Sequence, residues 1–216
     1  MIQSTLRQGL RWFCQHVPIR GRHRLADQLG LRLAPAQPMP LVINGLPILL
    51  DHQVRTCRFM YYGMYETHVV NFLRRALRLG DTVIEPGANI GYLTATMAGL
   101  VGPAGKIIAL EPSQNCLQQL QAAVEGANLP QVELLPYALA DRAATLVFHD
   151  TPRAVAKGYA TLDVVHKPAD STAHEVPAVS VDELMAQYQL GQVRFLKLDI
   201  EGSELLALQG ASEALR

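Results

Sequence analysis

Apolar residues recur at helical spacing close to the N-terminus. Leu6, Leu10, Phe13 and Val17 repeat every three or four positions across residues 4–16, with Arg7 and Arg11 beside them, which predicts a basic amphipathic helix. Such a helix either packs on its own domain or lies on an anionic membrane surface. Pro35, Pro38 and Pro40 then punctuate a linker, and the short apolar runs 41–43 and 48–50 read as a hairpin. From 66 to 78 the pattern Val69, Val70, Leu73, Ala76 and Leu77 is helical again, and Leu79-Gly80-Asp81 ends it.

Beyond that point strands and helices alternate. Residues 82–85 form a short β-branched run, Ile90, Leu93, Met97 and Leu100 return to helical spacing, and 106–110 is a second strand. Ser113 is placed to cap a helix whose inner face is Cys116, Leu120 and Val124, with Gly126 where a terminating glycine belongs. Residues 132–135 give a third strand, and 145–148 with 176–181 an inserted pair. Residues 193–200 read as one apolar strand interrupted by Arg194, Lys197 and Asp199, leading into a helix at 203–209. This alternation predicts an α/β fold, a Rossmann-like parallel sheet with helices on both faces. The expected division is a basic helical extension and linker over 1–40, followed by the α/β domain over 41–216.

Composition narrows the function classes. With 216 residues, 49% hydrophobic and 18% charged, the chain is neither disordered nor fibrous. Nineteen basic and nineteen acidic residues leave no net charge, which argues against a nucleic-acid partner held by a basic surface. The charge is asymmetric, however: six arginines against Asp27 alone give residues 1–33 a net +5. Three cysteines without a C-x-x-C pair suggest neither a disulfide framework nor a zinc site and fit a reducing cytoplasm. Residues 86–105 carry no charge, but Pro86, Pro103 and five glycines would break a membrane-spanning helix. The seven histidines have no metal-ligand spacing, although paired acids such as Asp199 and Glu201 have the oxygen chemistry for Mg²⁺.

In parallel sheets ligands sit beyond the carboxyl ends of the strands. The first strand ends in Glu85-Pro86-Gly87-Ala88-Asn89-Ile90-Gly91, where glycines allow the backbone to turn tightly and approach a ligand. Asn89 and Tyr92 stand where a G-x-G-x-x-G fingerprint needs glycine, and Gly105-Lys106-Ile107 fails as a Walker loop. Glu111 ends the second strand, where a carboxylate can accept both ribose hydroxyls. After the third strand, Ala138-Leu139-Ala140-Asp141 offers a small apolar wall and an acceptor suited to adenine. Lys197, Asp199 and Glu201 alternate along an extended segment and so share one side.

Four segments together resemble the FkbM-type family of S-adenosylmethionine-dependent methyltransferases. They are Gly63-Met64-Tyr65-Glu66, the turn from Glu85 to Tyr92, Ile108-Ala109-Leu110-Glu111-Pro112, and the run from Phe195 to Glu204; the likeness extends from Arg58 to the C-terminus. The resemblance implies a class I Rossmann-like sheet and S-adenosylmethionine as cofactor. Gly87, Asn89 and Gly91 would line its methionine end, Glu111 its ribose and Asp141 its adenine. The family usually has Asp at the position of Glu85, so a longer acid would hold the sulfonium or amino group. Methyl transfer is an in-line displacement, in which alignment dominates and a carboxylate can add general-base help. Asp199 is the first candidate base and Glu201 the second, while Lys197 either joins the catalytic group or pairs with one of these acids.

The resulting expectation is O-methylation of a hydroxyl on a small molecule or glycan. A methyltransferase-like binding module and an NAD-dependent oxidoreductase are the alternatives. The resemblance also implies further strands after the helix at 203–209, for which few residues remain. The chain is therefore expected to be a shortened form, or one that self-associates through an unpaired sheet edge.

Overall fold

The computed structural model describes residues 2–151, 171–200 and 202–216. The chain enters through two helices, α1 (Ile2–His16) and α2 (Arg22–Arg32), followed by the strands β1 (Met39–Ile43) and β2 (Leu46–Leu50). The β1–β2 pair is the expected antiparallel hairpin. Its turn residues Asn44 and Gly45 have φ of 46° and 89°, the left-handed pair that a two-residue hairpin needs. Two further helices follow, α3 (Arg55–Tyr61) and α4 (Thr67–Ala76). The sequence pattern missed α2 and α3. Arg58 is buried in α3 and donates to the carbonyls of His52 and Gln53 while pairing with Asp27 of α2, so the fold places a charge where an apolar position would have signalled a helix.

The alternating half begins at β3 (Thr82–Pro86) and continues through α5 (Tyr92–Val101), β4 (Lys106–Leu110), α6 (Gln114–Ala127) and β5 (Val132–Leu135). After β6 (Ala138–Leu139), the strands β7 (Ala144–Asp150) and β8 (Thr172–Val179) form the inserted antiparallel pair, in register from Ala144↔Ala178 to Asp150↔Thr172. The chain closes with α7 (Val181–Gln187), β9 (Phe195–Leu196) and α8 (Glu204–Gln209). The main sheet is parallel with the order β5-β4-β3-β9.

Strand alternation explains how both faces are covered. Val83, Ile107 and Ala109 face a core completed by Leu93 and Met97 of α5 and by Cys116 and Leu120 of α6, which Leu46 and Ile48 of the hairpin also enter. Their neighbours Ile84, Ile108 and Leu110 face the opposite core, with Val181 and Leu184 of α7 and Ala207 of α8. Thus β3, β4 and β5 are laid down in one direction with helices on the first face. β9 is added on the other flank of β3 by a connection over the second face. The strand order reverses between β3 and β9, and the crevice of such a sheet opens at that reversal.

Three boundaries differ from expectation for local reasons. Gly126 lies inside α6; the left-handed terminating residue is Asn128, with φ of 50°. The strand expected to reach residue 181 stops at Val179, because Ser180 and Glu183 form a reciprocal capping box that starts α7. The long strand expected over 193–200 contracts to Phe195–Leu196. There the chain leaves the sheet, and Glu204 accepts the backbone N–H groups of Ile200 and Gly202, folding the segment onto the start of α8. Among the described residues no helix is long and apolar enough to cross a membrane.

Candidate active site

The turn between β3 and α5 is built from left-handed residues. Gly87, Asn89 and Gly91 have φ of 70°, 53° and 88°. A Cβ on Gly87 would lie 2.7 Å from the carbonyl oxygen of Asp199, and one on Gly91 2.5 Å from Leu120. The glycines therefore serve first to let protein segments close on one another. Gly87 brings the segment after β9 against the turn, and Gly91 lets α5 start against α6. Asn89 tolerates its conformation because its own side chain accepts from the N–H of Ile90.

Two carboxylates hold this turn from beneath. Glu85 is fully buried; its Oε2 accepts from the Thr94 hydroxyl at 2.7 Å, and its Oε1 has no partner among the described residues. Glu111 accepts the N–H of Asn89 at 2.6 Å through one oxygen and that of Ser113 at 2.8 Å through the other. Burial pushes the Glu85 carboxyl up to about 7, against the pull of the Lys197 ammonium and the Thr94 hydroxyl. Burial likewise raises Glu111 to about 7, despite its two backbone N–H donors and with Asp150 adding to the rise. Both groups lose a low-dielectric penalty if a cation enters beside them.

Lys197 reaches the same place from β9. Its ammonium donates to the Gly87 carbonyl at 3.3 Å and lies 3.8 Å from the carboxylate of Asp199. The Lys197 side chain is 11% exposed and that of Asp199 65% exposed, so the lysine is enclosed and the aspartate faces the opening.

A cleft partly open to solvent spans these groups. Glu85, Gly87, Asn89, Glu111, Lys197 and Asp199 all line it, as the sequence reading expected. Gly91 and Asp141 are not among its lining residues; Asp141 pairs with Arg142 at 2.9 Å instead. Glu201, the second candidate base, lies outside the described residues, as do residues 152–170.

Several lining groups escaped the sequence reading. Tyr137 and Phe148 add aromatic surface, and Ser113, already identified as a helix cap, also donates to both oxygens of the buried Asp150 at 3.0 Å. Tyr65 and Tyr92 meet edge to face at 5.2 Å on the wall formed by α5 and the segment before α4. Cys116 lines the cleft too, but burial pushes its thiol up to about 12, which leaves no thiolate for chemistry near neutral pH. Among the described residues no group of three metal-ligating side chains converges.

Residues 85–216 match the model of the methyltransferase FkbM domain, which covers more than half of the chain. The chain belongs to the FkbM methyltransferase family. The matched region begins at Glu85 and takes in the glycine turn, Glu111 and the Lys197–Asp199 pair. This FkbM chain is 26% identical over 153 residues to the hexuronic acid methyltransferase AglP of Haloferax volcanii. The alignment covers 70% of this chain and 58% of that relative, so the chain spans little more than half of the relative's length. Among solved structures it is similar to methyltransferase FkbM from Methylobacillus flagellatus, with 16% identity and a TM-score of 0.44 over 90% of this chain and 45% of that one. A SAM-dependent O-methyltransferase from Thermotoga maritima aligns over 33% of this chain and 28% of its own length, with 24% identity and a TM-score of 0.30.

Proposed function

We propose that the cleft binds S-adenosylmethionine and directs its methyl group to an oxygen of a sugar or other small hydroxyl-bearing molecule. The observation that carries this reading is the orphan oxygen of Glu85. A fully buried carboxylate with one unpartnered oxygen lines the cleft beside Glu111, and Lys197 is the sole cation among the described lining residues. Buried acids of this kind call for a cationic, hydroxyl-rich ligand. The residues fit the cofactor on that ground: an ammonium or sulfonium satisfies Glu85, and ribose hydroxyls can donate to the remaining lone pairs of Glu111. Tyr137, Leu139 and Phe148 give an apolar surface for a purine.

When bound, the sulfonium supplies an activated methyl group. The chain's own work is alignment and charge management. Gly87 and Lys197 fix the segment carrying Asp199 against the turn, so the Asp199 carboxylate is held at the mouth of the cleft. From there it can accept a proton from an acceptor hydroxyl, a contribution typically ~10²–10⁴-fold in rate. Lys197 lies 3.8 Å from the Asp199 carboxylate and balances the negative lining when the cleft is empty. The name of the Haloferax relative supports an acidic sugar as the first acceptor class to test.

The deciding experiment is incubation with labelled S-adenosylmethionine and a panel of uronic acids, neutral sugars, phenols and amines, read by mass spectrometry. A gain of one methyl on an oxygen of one class supports the reading. Cofactor binding without transfer to any oxygen, but with transfer to nitrogen, would replace it.

A further inference from the structure

The helix α1 buries one side against the core and yet leaves large apolar side chains in solvent. Arg7 is turned inward and donates to the Leu33 carbonyl at 3.0 Å, while Cys14 is buried and Leu10 and Phe13 pack on the core. The solvent-facing side is mixed: Gln3, Ser4, Gln8 and Gln15 are exposed there, and large apolar side chains stand among them. Ile2, Leu6 and Trp12 are 79%, 54% and 60% exposed. At 3.6 residues per turn these three fall within about 120° of the helix circumference, an arc that also holds Thr5, Gly9, His16 and the core-packed Phe13. Ile19, just beyond the helix, and Leu29 and Leu31 of α2 are also exposed. Isolated exposed apolar residues are ordinary, but several aligned on one short helical face are not.

The charge around this face is one-sided. Residues 1–26 contain no acid, and the first one, Asp27, is bound to Arg58 and Arg55. Arg20, Arg24 and Arg32 are exposed and make no ion pair among the described residues. Exposed apolar side chains including a tryptophan, in a segment whose first 26 positions hold no acid and whose exposed arginines make no ion pair among the described residues, complement a surface that is anionic above and apolar beneath.

We propose that α1, the turn after it and α2 form a docking surface for an anionic phospholipid membrane, with Ile2, Leu6 and Trp12 entering the interface and Arg20, Arg24 and Arg32 meeting lipid phosphates. A neutral apolar partner would leave the arginines without a role. A second copy of this chain would bring like charges together.

Trp12 is the only tryptophan of the chain, so the docking surface carries its own probe. The test mixes the full chain with phosphatidylcholine vesicles with and without phosphatidylglycerol, and reads flotation and tryptophan emission. Binding and a blue shift are expected with the anionic vesicles, with affinity about tenfold or more lower for neutral ones. Binding should be lost at about 1 M salt, where the Debye length is roughly 3 Å. By flotation, L6S/W12S and R20E/R24E/R32E should each lose binding while keeping the wild-type thermal transition. Absence of binding by the folded wild-type chain, equal affinity for both vesicles, or undiminished binding by both variants would overturn the proposal. Concentration-dependent dimerisation abolished by L6S/W12S, without vesicle binding, would assign the face to a second copy and overturn it as well. The wild-type comparison stands alone if a variant fails to fold.

Discussion

The carboxylate of Glu111, at the end of β4, accepts the backbone N–H of Asn89, in the turn between β3 and α5, at 2.6 Å. This bond crosses from one strand end to the neighbouring glycine turn, and the second oxygen of Glu111 repeats the device with Ser113 at the start of α6. One buried side chain thus positions the first turn of two crossovers while still lining the cleft.

Glu111→Ala should therefore weaken the fold as well as the cofactor site. It leaves the backbone N–H groups of Asn89 and Ser113 without their acceptor, at about 1–3 kcal/mol for the buried one at Ser113. Glu111→Gln preserves one acceptor oxygen and removes the charge, and should lower affinity for S-adenosylhomocysteine about tenfold or more with a smaller loss of stability. Paired calorimetric titrations and thermal melts distinguish the two effects; unchanged affinity in Glu111→Gln would remove this residue from the site.

Glycine substitutions should separate the turn from the scaffold. Gly87→Ala combines a φ of 70° with a Cβ 2.7 Å from the Asp199 carbonyl, so it should displace the Asp199 segment and reduce cofactor affinity and turnover together. Gly99 in α5 would ordinarily welcome alanine, but its added Cβ would lie 2.3 Å from the Asn44 amide, which donates to the Ala95 carbonyl at 2.9 Å. Gly99→Ala should lower the melting temperature and spare cofactor binding. Asn44→Gly, which keeps the left-handed turn, should relieve the clash and make the pair non-additive.

The pH dependence follows from the two raised carboxyls. With both near 7 in the empty cleft, they hold protons at pH 6 that a cationic ligand must displace, whereas at pH 8 they are already ionised. Affinity for S-adenosylmethionine should rise from pH 6 to 8, by up to about tenfold per pH unit for each proton released. Buffers of different ionisation heat should register that release. In the empty protein the same groups, raised from 4.5, contribute stability that is present below 4.5 and lost as pH rises through 7. His52 acts in the opposite direction: burial depresses it to about 4, so its contribution is present above 6.5 and lost as pH falls. Between pH 4.5 and 6.5 the two carboxyls lose more than His52 gains, so these three groups together should make the ligand-free chain most stable near pH 4.5 and progressively less stable toward pH 7. A flat profile of both affinity and melting temperature would contradict these assignments.

Asp199→Asn should leave cofactor affinity within a few-fold and lower turnover about 10²-fold, since the amide keeps the shape and loses the basicity. Lys197→Met should instead act on binding. It removes the bond to the Gly87 carbonyl and the cation that lowers both buried acids, so the midpoint of the affinity profile should move to higher pH. Full turnover in Asp199→Asn on the true acceptor would leave that carboxylate no role as a base.

What the sequence disclosed were the features set by short-range physics. The Asn44-Gly45 hairpin, the Ser113 cap and the left-handed Gly87-Asn89-Gly91 turn each rest on residues within a few positions of one another. The strand-end rule singles out Glu85 and Glu111, alternation along an extended segment adds Lys197 and Asp199, and these four residues line one cleft. What stayed hidden depends on distant chain. Asp150 meets Ser113 across 37 residues, and Gly87 has its close approach to the Asp199 backbone rather than to open space. Asp141 had the right offset from the third strand but was drawn to Arg142 beside it. Residues 193–200 looked like a long strand because their apolar residues serve the core around Leu184 and Ala207, although only Phe195 and Leu196 stay in the sheet.

The most direct measurement is a calorimetric titration of the full chain with S-adenosylmethionine, S-adenosylhomocysteine and NAD at pH 8. A cleft lined by Glu85 and Glu111, without the third glycine of a dinucleotide turn, should bind the first two saturably at one site and leave NAD unbound. Absence of saturable binding of either sulfur ligand by a chain that unfolds cooperatively, or preferential binding of NAD, would contradict the assignment of this cleft as a methyl-donor site.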